Sequence, residues 1–254
     1  MSWGQFTLEA EGAGRVHEIG PTTLWLSRAG REWQLAFEGE GDAQSAVLSC
    51  TDSSAAPPGL SEPERYLADE GVTYTLTPVL ADRSVVVRPE ARLHVLPGCD
   101  VPLYVSTPVW WRFTIGERVA VERPVSRPSD TWFGPSLREG QLCYASRTRA
   151  LLSFRGVPPR PARAVTRVLL QNRRETPLEV ERLALPVREL DLAVAADGHI
   201  WTDAVRVTVG ADGEASMVIE ATPPDEAGPL SSAIPAREPS PRFQMFRALS
   251  ALLQ

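Results

Sequence analysis

The sequence predicts an all-β protein, an antiparallel β-sandwich of two packed sandwich-like halves that ends in a short C-terminal α-helix. Two observations support the β class. Runs rich in β-branched and aromatic residues recur at short intervals, and Pro, Gly and Asp separate them without a long helical period in between. In addition, Asp212 and Gly213 stand between two alternating runs, which is typical of a β-hairpin turn.

The first half, residues 1–125, begins with a predicted strand at 3–10 and a hairpin. In the hairpin, residues 22–29 and 31–38 alternate apolar and polar side chains on either side of Gly30. Strands in a sheet with one solvated face show this pattern. After a short strand at 46–50 and a polar, Pro-rich loop, further strands are predicted at residues 72–80, 84–88, 91–96, 103–107 and 109–115.

The second half, residues 126–222, follows a Pro-containing connection at 122–128. Its predicted strands are residues 141–148, 164–171, 178–185, 190–195, 205–209 and 215–220. The pattern leaves open whether the halves are independent domains or parts of one interleaved sandwich. Residues 223–254 are assigned to a Pro-rich linker and an amphipathic helix, because Phe243, Phe246, Leu249 and Leu253 recur at helical spacing.

The composition excludes several classes of function. A formal net charge of -6 opposes binding to nucleic acid or to an anionic membrane surface. All 26 basic residues are Arg, so chemistry that needs a lysine, such as a Schiff base, is excluded. No stretch resembles a signal peptide or reaches the ~20 apolar residues of a membrane span, so we expect a cytoplasmic protein with no direct membrane span.

No pattern of cysteine or histidine predicts a metal site. Cys50, Cys99 and Cys143 are widely spaced without a CxxC motif, and the three histidines lack the HExxH spacing. The GxGxxG, phosphate-loop and GxSxG signatures are also absent, and Cys143 has no nearby His in the sequence to activate it. We therefore nominate no catalytic residue, no metal ligand and no cofactor.

One stretch, residues 129–149, concentrates side chains that either lock a turn or form a site. Asp130, Trp132, Arg138 and Tyr144 are the candidate ligand-binding residues, because loops held by rigid strands often carry binding groups. The alternative interpretation is structural, with Trp132 filling a corner of the core and Asp130 capping a turn. A ligand site predicts these four side chains around one concave pocket with Trp132 partly exposed. An interaction module predicts a buried Trp132 and an exposed apolar patch elsewhere.

Charge is distributed unevenly along the chain. Residues 141–174 contain eight Arg and no Asp or Glu. Such a stretch is either a scattered basic strand surface or a site for an anion or an acidic partner, for which the planar, bidentate guanidinium is suited.

Four segments together resemble a prokaryotic family, the domain of unknown function numbered four-three-two. They read LTPVLADRSVVVRPEARLHVLPG, VPLYVSTPVWWRF, SDTWFGPSLREGQLCYASRTRA and LLQNRRETPLEVERLALPV, and the resemblance covers most of residues 1–222. The family has no established activity to transfer. Its members are often encoded beside small mechanosensitive channels, so the resemblance implies such a channel as a partner.

Taken together, these patterns favour a non-enzymatic, cytoplasmic protein-interaction or regulatory module. The expected partner is another protein, either a mechanosensitive channel or a second copy of the chain in a homo-oligomer. The alternative is a protein or enzyme that binds a small anion or a carbohydrate at residues 129–149.

Overall fold

The all-β class is confirmed by the computed structural model, which describes residues 3–39, 44–69, 71–126, 128–220, 223–238 and 243–246. Apart from two 3₁₀ turns, at Val187–Glu189 and Asp225–Ala227, the regular elements in these ranges are β-strands. None of the helical segments in these ranges is long and apolar enough to cross a lipid bilayer.

The strands are numbered in chain order. The first twelve are β1 (Gly4–Thr7), β2 (Gly14–Ile19), β3 (Thr22–Ala29), β4 (Glu32–Glu38), β5 (Leu48–Asp52), β6 (Glu64–Leu67), β7 (Thr73–Val79), β8 (Val85–Pro89), β9 (Leu93–Val95), β10 (Asp100–Pro108), β11 (Trp110–Ile115) and β12 (Arg118–Pro124). The others are β13 (Ser129–Phe133), β14 (Gln141–Thr148), β15 (Arg163–Asn172), β16 (Leu178–Val180), β17 (Leu183–Leu185), β18 (Leu192–Ala195), β19 (Ile200–Thr202), β20 (Ala204–Val209), β21 (Ala215–Glu220), β22 (Leu230–Ile234) and β23 (Phe243–Phe246).

The contacts within the chain define two compact units, and each unit takes several stretches of sequence. Unit 1 consists of Met1–Val79, Pro108–Arg127 and Arg160–Ala162, and unit 2 of Leu80–Thr107, Pro128–Pro159 and Arg163–Gln254. The boundaries predicted after residues 125 and 222 stay predictions.

Unit 1 is an antiparallel sandwich. One sheet has the strand order β1-β7-β11-β12, and the other has the order β5-β2-β3-β4-β6. Aromatic rings connect the sheets across the core: Trp33 of β4 lies 6.2 Å from Phe113 of β11 and 5.8 Å from Tyr74 of β7, between ring centroids. All three side chains are fully buried. The predicted β3–β4 hairpin is present, and Gly30 turns it with a positive φ of 59°.

His17 on β2 is a buried titratable group of this core. Its side chain is 0% exposed, its Nε2 atom shares a 2.7 Å hydrogen bond with the Tyr74 hydroxyl, and the Phe6 ring packs edge-on at 4.8 Å. Burial, with a smaller effect from the charge of Arg15, lowers the pKa of His17 to about 4. The imidazole is therefore neutral in the folded protein at physiological pH.

Unit 2 combines antiparallel and parallel pairing. Its largest sheet has the order β22-β18-β19-β15-β20-β21-β23, with β10 also paired to β15. A second sheet has the order β13-β14-β8-β17, and β16 pairs with β9. The pairs β14–β8, β15–β19 and β15–β20 are parallel. Parallel neighbours need a long crossover connection, which local alternation does not reveal.

A buried arginine connects three strands of unit 2 through hydrogen bonds. Arg163 at the start of β15 is 5% exposed. Its guanidinium donates hydrogen bonds to Ser106 Oγ at 3.0 Å, to Ser146 Oγ at 3.0 Å and to the carbonyl oxygen of Arg147 at 3.3 Å. One planar group thus joins β10, β14 and β15, which only the fork of an arginine can do.

The C-terminal region differs from the prediction in two ways. Residues assigned to a Pro-rich linker include β22, which pairs with β18. Residues 243–246 form β23, which pairs with β21, so the prediction of an amphipathic helix is wrong for these residues. The other residues of the predicted helix lie outside the described ranges. The spacing of Phe243 and Phe246 fits a helical turn, but strand pairing decides the conformation of this segment.

Candidate functional site

The predicted site lies on a β-hairpin of unit 2. Residues 129–133 form β13, so Asp130 lies in a strand, and they pair with β14 in an antiparallel ladder. In this register Asp130 lies opposite Tyr144, and Trp132 lies opposite Leu142. Directly opposite residues project from the same side of a sheet. Asp130, Trp132 and Tyr144 therefore share one face, together with Leu142.

This face becomes exposed toward the hairpin end. We call it the inner face of the β13-β14-β8-β17 sheet. Its residues on β8, Val85 and Val87, are 2% and 1% exposed. Tyr144 is 9% exposed, but Leu142 is 47% and Trp132 40% exposed. The apolar pattern of the inner face thus continues beyond the part of the sheet that the core covers.

The Trp132 ring has a fixed position. Its Nε1 atom donates a 2.9 Å hydrogen bond to the carbonyl oxygen of Ser136, across the loop at residues 134–140. The ring also lies against Gly140, where a Cβ atom would come within 2.8 Å of Nε1 and 2.6 Å of the carbonyl oxygen of Phe133. A side chain at position 140 would therefore displace the indole.

The loop is held by its own hydrogen bonds. The Ser136 hydroxyl oxygen accepts bonds from the backbone N–H groups of Arg138 at 3.2 Å and Glu139 at 3.0 Å. The loop carries Leu137, which is 91% exposed. We call the three exposed apolar residues of this hairpin, Trp132, Leu137 and Leu142, the hairpin tip. Three large apolar side chains exposed on one short hairpin are unusual, because such groups are ordinarily covered.

Behind the hairpin tip, the polar groups of the inner face are engaged within the protein. The Tyr144 hydroxyl donates a 3.0 Å hydrogen bond to Asp82, and the Arg83 guanidinium lies 5.1 Å above the Tyr144 ring. Arg83 also pairs with Asp130 at 3.2 Å. Burial, helped by the Asp82 carboxylate, raises the pKa of Tyr144, so its hydroxyl stays protonated and keeps this bond.

The structure thus brings three of the four predicted site residues onto one face and leaves the fourth, Arg138, in the loop. The guanidinium of Arg138 has no ion pair within the part of the chain that is described. Sequence reasoning missed Asp82 and Arg83, which precede β8, because β8 lies beside β14 through a parallel pairing. Leu142 could have been found, since it alternates in phase with Tyr144.

The opposite, outer face of the same sheet contains a small apolar cluster. Phe133, Cys143, Val86 and Ala184 pack together there, and Cys143 is 0% exposed. Burial raises the pKa of the Cys143 thiol, which makes it a poor nucleophile. Within the described ranges, no group of three or more His, Cys, Asp or Glu side chains is arranged to hold a metal ion.

The protein is therefore an all-β protein of two units, one of which presents an apolar hairpin tip. It belongs to the family described as Protein of unknown function (DUF432), whose family model matches residues 2–248. No curated protein matches the chain, and no solved structure does. The family resemblance expected from the four segments is confirmed.

Proposed function

We propose that the protein is a non-enzymatic, cytoplasmic interaction module that docks onto another protein through the hairpin tip. One observation carries the proposal: Trp132, Leu137 and Leu142 are exposed together, at 40%, 91% and 47%, on a hairpin with internally satisfied hydrogen bonds. An interaction module was expected to bury Trp132 and to expose its apolar patch elsewhere, whereas here the exposed apolar residues include Trp132. Exposed apolar side chains favour protein contact, and Trp in particular is enriched among the residues that dominate binding energy.

The state of the polar groups favours a protein partner over a small polar ligand. A sugar or an anion is oriented by convergent polar groups that are free to bond it. Here the Trp132 indole N–H, the Asp130 carboxylate and the Tyr144 hydroxyl all have partners within the chain. Arg138 is the group that a small anion or a carbohydrate could still use, which keeps ligand binding as the second candidate function.

The form of the hairpin tip suggests how it would bind. Three side chains supply much less than the about 800 Å² that each partner buries in a standard interface. We therefore expect the tip to enter an apolar groove of the partner and to act as its anchor. Because loop hydrogen bonds already fix the Trp132 ring, little conformational entropy would be lost on docking.

The first partner to test is the cytoplasmic part of a small mechanosensitive channel, which the family resemblance suggests. The experiment compares proteins captured from the native host by three tagged forms: the natural chain, a Leu137→Ser, Leu142→Ser variant and a Leu96→Ser control. Leu96 is 59% exposed elsewhere in unit 2, so the control removes a comparable exposed leucine. Mass spectrometry then identifies the captured proteins, with the channel as the specific candidate.

We expect the natural chain and the Leu96→Ser control to retain the channel and the double variant to lose it. Equal capture of the channel by all three forms would show that the hairpin tip is not the docking surface. Self-association, measured by light scattering and abolished in the double variant, would instead assign the tip to a homo-oligomer. Truncation after residue 222 is a poor alternative, because it removes β22 and β23 from their sheet.

A further inference from the structure

Two arginines stand side by side on the outer face of the β13-β14-β8-β17 sheet. Arg88 of β8 and Arg147 of β14 are direct partners in the parallel ladder between these strands. Both side chains are exposed. They project from the same face as Val86 and Cys143, since side chains two or four residues apart on a strand share a face. The pair is therefore separate from the hairpin tip, which belongs to the inner face.

This arrangement is unfavourable in the absence of a counter-charge. Neighbouring strands lie about 4.8 Å apart, and like charges directly opposite each other destabilise a sheet. Across the described residues, neither Arg88 nor Arg147 forms an ion pair with an acidic side chain, although thirteen other such pairs occur there, including one made by a histidine. Glu90, two residues after Arg88, is exposed and forms no ion pair with either arginine among the described residues.

A third guanidinium adds positive charge to the same face. Arg182 immediately precedes β17, in which Leu183 pairs with Val87. Its guanidinium carbon lies 5.7 Å from the centre of the Phe133 ring, over the outer apolar cluster. This cation–π contact anchors Arg182 on the outer face. Arg88 and Arg147 belong to adjacent strands and Arg182 precedes the next one, and the stretch from 141 to 174 contributes no acidic residue to oppose them.

We propose that Arg88 and Arg147 form a binding site for a phosphate-type oxyanion. Guanidinium groups bind such anions through paired, charge-assisted N–H···O hydrogen bonds. An anion seated between the two would convert their repulsion into two attractions. The site goes beyond the proposed docking function, since it uses the other face of the sheet. The anion is either inorganic phosphate or the phosphate group of an ester, and both present the same oxygens.

The test measures thermal unfolding at constant ionic strength, with sodium chloride replaced in steps by low millimolar inorganic phosphate. The proteins are the natural chain, Arg88→Gln, Arg147→Gln and the control Arg155→Gln. Arg155 is exposed in unit 2 and, like the pair, has no acidic partner among the residues described. The control matters because phosphate also stabilises proteins generally by exclusion from their surface.

Phosphate should raise the Tm of the natural chain and the control more than that of the two variants. Calorimetric titration should show roughly tenfold weaker phosphate binding for each variant, the loss of about one charged hydrogen bond. A parallel arm with glycerol phosphate distinguishes the sources: stronger binding than inorganic phosphate indicates an ester ligand. Without phosphate, Arg147→Gln should be at least as stable as the natural chain, because the repulsion is relieved. Equal phosphate responses in all four proteins would overturn the proposal.

Discussion

Acid should weaken unit 1 through His17, the imidazole that is 0% exposed between the two sheets of the sandwich. Burial lowers the pKa of His17 from 6.5 to about 4. In the unfolded chain the same imidazole takes up its proton near pH 6.5. Between these values the unfolded state binds more protons than the folded state, so the free energy of unfolding falls as the pH falls. The contribution of neutral His17 is complete above pH 6.5.

The size of the effect follows from the shift in pKa. A full shift from 6.5 to about 4 corresponds to about 3 kcal/mol, of which about 2 kcal/mol is lost by about pH 5. Such a loss is a large fraction of the stability of an ordinary domain. A His17→Gln variant removes the titrating group, and a His94→Gln variant removes an exposed imidazole on β9 as the matched control.

The assay is equilibrium urea unfolding at about pH 7.5 and about pH 5, compared among the three proteins. Other groups titrate in this range, so the informative quantity is the change in free energy between the two pH values, natural chain against variant. Between about pH 7.5 and about pH 5, the free energy of unfolding of His17→Gln should fall by about 2 kcal/mol less than that of the natural chain or of the His94→Gln control. Equal losses in all three, or an imidazole signal of His17 titrating near pH 6.5 by NMR, would refute the reasoning.

Two further predictions concern stability. Gly140→Ala should cost about 1–3 kcal/mol of unfolding free energy, because its Cβ would lie 2.8 Å from the Trp132 indole nitrogen. The control Gly71→Ala should be near neutral, because its Cβ would meet the Asp69 carbonyl oxygen only at an ordinary contact distance of 3.9 Å. Equal urea midpoints for the two variants would contradict this account. Arg163→Lys should lower the free energy of unfolding by about 2–4 kcal/mol, because one ammonium cannot replace a buried guanidinium that joins three strands. Arg155→Lys, at an exposed position, is the control. If the Arg163→Lys protein were as stable as the control, Arg163 would not hold these strands together.

Local patterns were sufficient to predict the hairpins. The β20–β21 pair follows the Asp212-Gly213 turn, and the β3–β4 pair follows Gly30, as their alternation indicated. In such segments the partner strand is adjacent in the sequence, so the turn residues and the alternation together specify the pairing. The all-β class could be predicted for the same reason.

Long-range pairing could not be predicted in this way. Tyr144 meets Asp82 and Arg83 because β14 lies parallel to β8, and alternation within a strand does not identify a distant partner. Similarly, β22 lacks an apolar face, since most of its side chains are exposed, and its pairing with β18 holds it in the sheet. The candidate site was therefore predicted in its local part, the β13–β14 hairpin, while its polar surroundings were missed.

The interleaving of the two units has a consequence for synthesis on the ribosome. After residue 79, β7 has emerged without β11, its neighbour in the sheet, which lies at residues 110–115. The intervening residues, 80–107, belong to unit 2, and the β14 and β15 strands that pair with β8 and β10 emerge later still. Open strand edges in a nascent chain invite pairing with other chains. We therefore expect this protein to depend on protection by chaperones during translation. Unit 1 can be completed only after residue 162 has emerged, and unit 2 later still.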